Sequence, residues 1–294
     1  MTTKTRFANY PSAVAYEQPD GKKPVQQLLW GSYVGDKGEK KGTYEIEDAH
    51  GETVKGKFLR AHIRGRKEDC WIREHEVQDE RLLEVIFVDI GQGDGCLVVT
   101  PDDEFILIDA GEADNMYRFL RWRFGRFSEE FKFHAAIMSH PDSDHYKGFE
   151  HLFAEPNVSF GTVYHNGIME RFGKNSLGPK KKIGGRTVLT DLVTSKNQLE
   201  SFLSVKTRWQ KKAKNGRIIN KQYPTMLKKA LDAGKIGEFK MLSVHDEHVP
   251  GYESDKDLQI RVLGPVPEGG PGDPPRLRWL SGVGMTKNGH SVVL

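Results

Sequence analysis

The chain is short of several things, and each shortage removes a class of answer. Two cysteines in 294 residues, Cys70 and Cys96, cannot build a disulfide framework. A stapled secreted scaffold is therefore set aside, and free thiols in a reducing, cytoplasmic compartment are expected. No apolar run approaches the roughly 18 residues that a membrane span needs. The opening MTTKTRFANYPSAV has no apolar stretch of the kind a secretory signal requires. Apolar residues make up 37% of the chain and charged ones 29%, so much of the surface is exposed to water. No internal repeat is visible, which excludes solenoids and propellers. The length still suffices for one large domain or two modest ones, each with its own core.

Charge is balanced only on average. The net value is +3, yet between Arg171 and Lys221 there are 14 Lys and Arg against two acids, Asp191 and Glu200. The remainder of the chain is therefore acidic. A block of one sign attracts a polyanion such as nucleic acid at long range; it is equally the composition of a solvated insertion.

The pattern along the chain divides it in three. Residues 1–24 are polar, carry Pro11, Pro19 and Pro24, and show no sustained period, so they read as a tail. Residues 25–79 hold short runs rich in β-branched and aromatic residues, including QQLLWGSYV, TVKGKFLRAHIRG and DCWIREHEV. Turn clusters such as Asp36-Lys37-Gly38 and Asp48-Ala49-His50-Gly51 separate them. This pattern resembles a small SH3-like β-barrel, and an N-terminal extension of the main domain fits it too. Trp30, Tyr33 and Trp71 either line an aromatic groove for a protein or peptide partner or pack the core.

From Leu82 the signal changes to buried strands alternating with helices, an α/β pattern. LLEVIFVDI, CLVVT and FILIDAG read as three strands, with Gly91-Gln92-Gly93-Asp94-Gly95 turning between the first two. MYRFLRWRFGRF and HYKGFEHLFAE read as helices, FHAAIMS and VSFGTVYHNG as strands, MLKKALDAGKI as a helix and LQIRVLGPV as a strand.

Chemistry concentrates where FHAAIMS runs out, in His140-Pro141-Asp142-Ser143-Asp144-His145. Pro141 keeps the preceding residue extended, and on an extended chain residues two apart share a face. His140, Asp142 and Asp144 are therefore expected to converge, with His145 at the start of the next helix. Four nitrogen and oxygen donors within six residues suit Zn²⁺, or a pair of divalent ions.

These residues resemble the HxHxDH signature of the metallo-β-lactamase superfamily. The set Val88 to Asp94, Ile106 to Gly111, Ser139 to His145 with Gly148, Val262 to Pro265 and the ending from Asn288 is similar to the hydrolase domain of ComEC-like DNA-uptake proteins and their soluble relatives. The resemblance spans about Leu83 to Leu294, least in the basic stretch 171–221. It implies a four-layer αββα metallo-β-lactamase fold over 82–294, behind the SH3-like module. It also implies a first metal on His140 and Asp142, with His165 as a third ligand, and a second metal on Asp144 and His145. Asp144 would orient the hydrolytic water or take its proton, and Asp109 would fix a ligand imidazole from behind.

Two departures stand out. Asp142 replaces the signature's second histidine, which moves the metal preference toward Mn²⁺ or Mg²⁺. The second half of the family fold, which supplies a bridging Gly-Asp and a late His, would lie beyond Leu294, so the hydrolase domain is expected to be C-terminally incomplete. The leading expectation is a metal-dependent hydrolase of nucleic-acid phosphodiesters. A metallo-hydrolase of a small ester, lactone or phosphate is one alternative. An adaptor acting through the β module, with an inert hydrolase half, is the other.

Overall fold

A computed structural model describes residues 3–47 and 50–294, so the expected turn at 48–51 lies partly outside the described residues. The chain divides into two compact units, 1–83 with 100–103, and 84–99 with 104–294.

The first unit is one curled antiparallel sheet. Its strands are β1 (Lys4–Ala8), β2 (Ser12–Tyr16), β3 (Pro24–Leu29), β4 (Tyr33–Glu47), β5 (Thr53–Ile63), β6 (Cys70–Arg73) and β7 (Val77–Gln78). They lie in the order β3-β2-β6-β5-β4-β1-β7. Alternation builds the core: Leu59, Ala61 and Ile63 of β5 and Cys70 and Ile72 of β6 turn inward, while Arg60 faces water. Register shifts along β4 opposite β5 bend the ladder. The first 24 residues, expected as a tail, supply β1 and β2, and Phe7, Ala8, Ala13 and Ala15 are buried. Strands of five residues are too short to show a period between prolines. Trp30, Tyr33 and Trp71 have separate neighbours: Trp30 meets Tyr10 edge-on, Arg64 lies over Tyr33, and Lys41 over Trp71.

The second unit is built on a mixed sheet. It contains β8 (Glu84–Phe87), β9 (Cys96–Val99), β10 (Phe105–Ile108), α1 (Asn115–Arg123), β11 (Phe131–Met138), α2 (Ser143–Tyr146), α3 (Phe149–Ala154) and β12 (Val158–His165). There follow β13 (Lys180–Ile183), β14 (Arg186–Leu189), α4 (Lys196–Ser204), β15 (Gln210–Lys212), β16 (Ile218–Asn220), α5 (Gln222–Asp232), β17 (Ile236–Met241), β18 (Leu277–Arg278) and α6 (Val283–Asn288). The main sheet runs β17-β12-β11-β10-β9-β8. β10, β11, β12 and β17 are parallel, and the β8 and β9 pairings are antiparallel.

One face of that sheet packs under α1, α3, α4 and α5 through Leu120, Phe149, Phe153, Phe202, Tyr223 and Leu227. The other face, carrying Val98, Ile106, Ile137 and Tyr164, is covered by Leu242, Val249, Tyr252, Val262 and Val292. No helix among the described residues is long and apolar enough to cross a membrane.

The expected α/β, four-layer αββα fold behind an SH3-like barrel is therefore corrected. Strands hold 36% of the residues and helices 20%, arranged as a curled antiparallel sheet and a mixed sheet. The reason is visible between 249 and 275, where Pro250, Pro265, Pro267, Pro271, Pro274 and Pro275 alternate with glycines. Proline removes ladder donors. LQIRVLGPV, expected as a strand, accordingly makes only isolated bridges, His248 to Arg261 and Gly264 to Val293. β8 was expected to be buried on both faces; as an edge strand it leaves Phe87 83% exposed.

Candidate metal centre

Four segments meet at the C-terminal ends of β10 and β11: the 91–95 turn, residues 109–111, residues 139–148, and the chain from α6 to Val292. Parallel pairing sets those two strand ends side by side, where open α/β sheets hold ligands. Backbone bonds stitch the segments together. Ala110 N–H donates to the His145 carbonyl at 2.8 Å, Gly148 N–H to Gly111 at 2.8 Å, and Val292 N–H to Ser139 at 2.9 Å. The motif glycines make this approach possible. A Cβ on Gly93 would stand 1.6 Å from the Asp144 carbonyl oxygen, and one on Gly148 2.0 Å from that of Ala110.

Asp109 is the anchor. Just past β10, buried and at φ 52°, it points both oxygens inward. Oδ1 accepts the Ser139 N–H at 2.8 Å, and Oδ2 accepts the Ser139 hydroxyl at 2.6 Å. Oδ2 also lies 2.7 Å from His145 Nδ1. That contact assigns the His145 proton to Nδ1 and leaves the Nε2 lone pair free. Burial opposes a charge on His145, but Asp109, with Asp144 and Asp94 adding, outweighs it and raises the imidazole pKa.

Around this pair the sequence-predicted residues fall as follows. The His140 and His145 rings lie 4.0 Å apart between centroids. His140 is buried, its Nδ1 shared by the Ser139 and Ser291 hydroxyls at 3.0 and 3.2 Å. Its Nε2 is buried without a hydrogen-bond partner. Asp144 Oδ2 lies 3.9 Å from His145 Nε2. The extended run ends earlier than expected: the Asp142 N–H turns back to the His140 carbonyl, and Asp144 already sits on α2.

Asp142 is engaged elsewhere. Lys287 Nζ lies 2.6 Å from its Oδ1, and Asn288 Nδ2 donates to its Oδ2 at 3.0 Å. His140 Nε2 is 3.4 Å from Oδ2. The His140 imidazole first, and the Lys287 ammonium after it, hold this carboxyl far below the usual carboxylate range. His165 is drawn to another neighbourhood. Its Nε2–H donates to the Val193 carbonyl at 2.8 Å, and its ring packs on Phe239. Burial pushes its pKa down to about 3.

The tightest donor group includes a residue the sequence offered only as part of a turn. Ligand atoms of Asp94, Asp109 and His145 all lie within 4.8 Å of one another. Asp94 reaches the group from the glycine-rich turn; its position in Gly91-Gln92-Gly93-Asp94 was the available signal. Ser291 lies in the motif-like ending from Asn288, whereas Lys287 and Glu170 carried no pattern that could have marked them. The set fits a divalent cation, since imidazole and carboxylate donors suit Zn²⁺ or Mn²⁺. Another pair, His245 and His248, lies within and just after a short turn capped by Ser243 and Asp246. Burial raises both thiols, Cys70 to about 11, so neither is poised as a nucleophile.

No protein family, no curated protein and no solved structure matches this chain.

Proposed function

We propose that the chain is a metal-dependent hydrolase of phosphodiester bonds in nucleic acid, akin in its site motifs to metallo-β-lactamase-superfamily and ComEC-like hydrolases. The observation that carries this reading is the convergence of Asp94, Asp109 and His145 within 4.8 Å, with the His140 ring packed against that of His145. Asp94, Asp109 and His145 would hold the cation, Zn²⁺ or Mn²⁺ by donor type. When bound, a cation would supply Lewis-acid activation of a water. Asp144, partly exposed at the rim, would orient the attacking water or take its proton. Asp109 and Ser139 keep the His145 ring and tautomer fixed. The substrate class draws support from the motif resemblance and from the basic segment. There Lys180, Lys181, Lys182, Lys211, Lys212, Lys214 and Arg217 are solvent-exposed and suited to a phosphate backbone.

The test is cleavage of end-labelled single-stranded DNA and of bis(p-nitrophenyl) phosphate by the full chain with Mn²⁺ or Zn²⁺. Metal-dependent cleavage is expected, falling about 10²- to 10⁴-fold in Asp144→Asn and lost in His145→Ala. Hydrolysis that is absent, or indifferent to His145→Ala, overturns the proposal.

A second reading has its own observation. A cavity of about 560 Å³ beside Asp94, Asp109 and His145 is walled by Val85, Phe87, Val98, Ile108 and Val293. Apolar walls around a few polar groups suit a small ester or lactone. Salt separates the two, because binding to a polyanion weakens steeply with ionic strength and binding of a neutral ester does not.

A further inference from the structure

Lys287 is buried beside the metal ligands, and a buried ammonium persists only where its hydrogen bonds are met. Here all three are. Nζ donates to Asp142 Oδ1 at 2.6 Å, to Glu170 Oε1 at 2.9 Å and to the Pro141 carbonyl at 3.0 Å. An ammonium has three donors and no acceptor, so this one is fully committed and fixed in place. Asn288 takes the other oxygen of Asp142 at 3.0 Å. His140 Nε2 faces the same carboxylate from 3.4 Å. Asp142, Glu170 and His140 together have the donor types of a second divalent-ion site, and the ammonium already stands among them.

We propose that Lys287 is the built-in cation of this site. It fills the Asp142–Glu170 side as a fixed monovalent charge, so the chain takes one divalent ion, on the Asp94–Asp109–His145 side, and not a pair. The inference rests on the metal-site reading above. Its physical basis is charge and space: a second dication would share carboxylates with the ammonium and be repelled by it at contact range. Lys287 then acts as a positioning residue, holding the 140–142 loop in place of a metal and keeping Asp142 away from the ion.

The test is Mn²⁺ stoichiometry on the full chain, read by equilibrium titration and by electron paramagnetic resonance, which distinguishes isolated from adjacent ions. Wild type is expected to bind one Mn²⁺ with an uncoupled signal. Lys287→Met should admit a second ion and show the broadened signal of a coupled pair, and Lys287→Arg should return to one. Two ions in wild type, or a folded Lys287→Met that still binds one, overturns the inference while the metal site stands. No Mn²⁺ in wild type overturns the metal-site reading itself and the inference with it. Should Lys287→Met fail to fold, Asp142→Asn decides. Loss of a ligand or of a ligand's partner costs about 10- to 100-fold in affinity, so unchanged affinity for the one ion supports the inference and a loss of that size overturns it.

Discussion

Removing the Asp109 carboxylate separates the two jobs the structure gives it. Its oxygens accept from the Ser139 N–H, the Ser139 hydroxyl and His145 Nδ1 at 2.6–2.8 Å, in a buried position. Asp109→Ala orphans the Ser139 amide and leaves the hydroxyl and imidazole to find weaker partners. A stranded buried donor costs about 1–3 kcal/mol. With partial rescue of the two side chains, the loss should come to about 3–5 kcal/mol. Asp109→Asn is milder: Oδ1 still takes the Ser139 amide, and the hydroxyl can turn to accept from Nδ2. Nδ2 cannot accept from His145, however, so the imidazole proton must move to Nε2 and the free lone pair is lost. The Asn variant should therefore stay within about 1–3 kcal/mol of wild type yet lose Mn²⁺ affinity by about 10- to 100-fold. Urea unfolding, followed for the transition of the second unit, and Mn²⁺ titration measure the two effects independently. An Ala variant within about 1 kcal/mol of wild type, below the cost of one stranded donor, or an Asn variant of undiminished affinity, refutes the reasoning.

Three further outcomes are expected. Gly93→Ala, forced to φ +92° with its Cβ 1.6 Å from the Asp144 carbonyl oxygen, should lose about 2–4 kcal/mol in urea unfolding; a neutral effect would mean the turn does not abut α2. His165 stays neutral in the fold to about pH 3, while its ordinary pKa is 6.5. Its contribution is complete above pH 6.5 and is lost as pH falls from there toward about 3, by about 1.4 kcal/mol per pH unit. His165→Gln should flatten the stability-against-pH slope by that amount, and equal slopes would contradict the burial. Cys70 and Cys96, both buried and raised in pKa, should resist a thiol reagent at pH 8 until denaturant is added; rapid labelling of the native chain would count against their burial.

Elements long enough to show a period were legible. FHAAIMS corresponds to β11 and VSFGTVYH to β12, and α1 and α5 overlap the expected helical patterns, α5 starting and ending four residues earlier. The expected helix from His145 breaks into α2 and α3 at Lys147-Gly148, because Gly148 must lie against the Ala110 carbonyl. A periodic pattern cannot announce such a tertiary demand. β13 to β16 went unseen for a different reason. Lys180–Ile183 is exposed at every position, and with neither face buried there is no alternation to read. The layering was the larger miss. Apolar strands reveal that something covers them and are silent on whether it is a sheet or irregular chain.

The site shows the same division between local and distant information. His140, Asp144, His145 and Asp109 sit at strand ends or in short turns, where sequence neighbours largely decide direction, and all four meet. In sequence nothing near Asp142 competes for its carboxylate. The competitor, Lys287, lies 145 positions away. It is held there by α6 and by the return of the chain at Val292 to Ser139. His165 illustrates the converse. Its strand does run beside the one ending at Ser139, with Met138 its register partner. Pairing register places a backbone and leaves open which face a side chain takes. That choice belonged to Val193 and Phe239, which offer the ring an acceptor and a packing surface. A motif therefore brings candidate donor side chains together well and foretells their partners poorly, since a donor is free only if no distant residue has claimed it first.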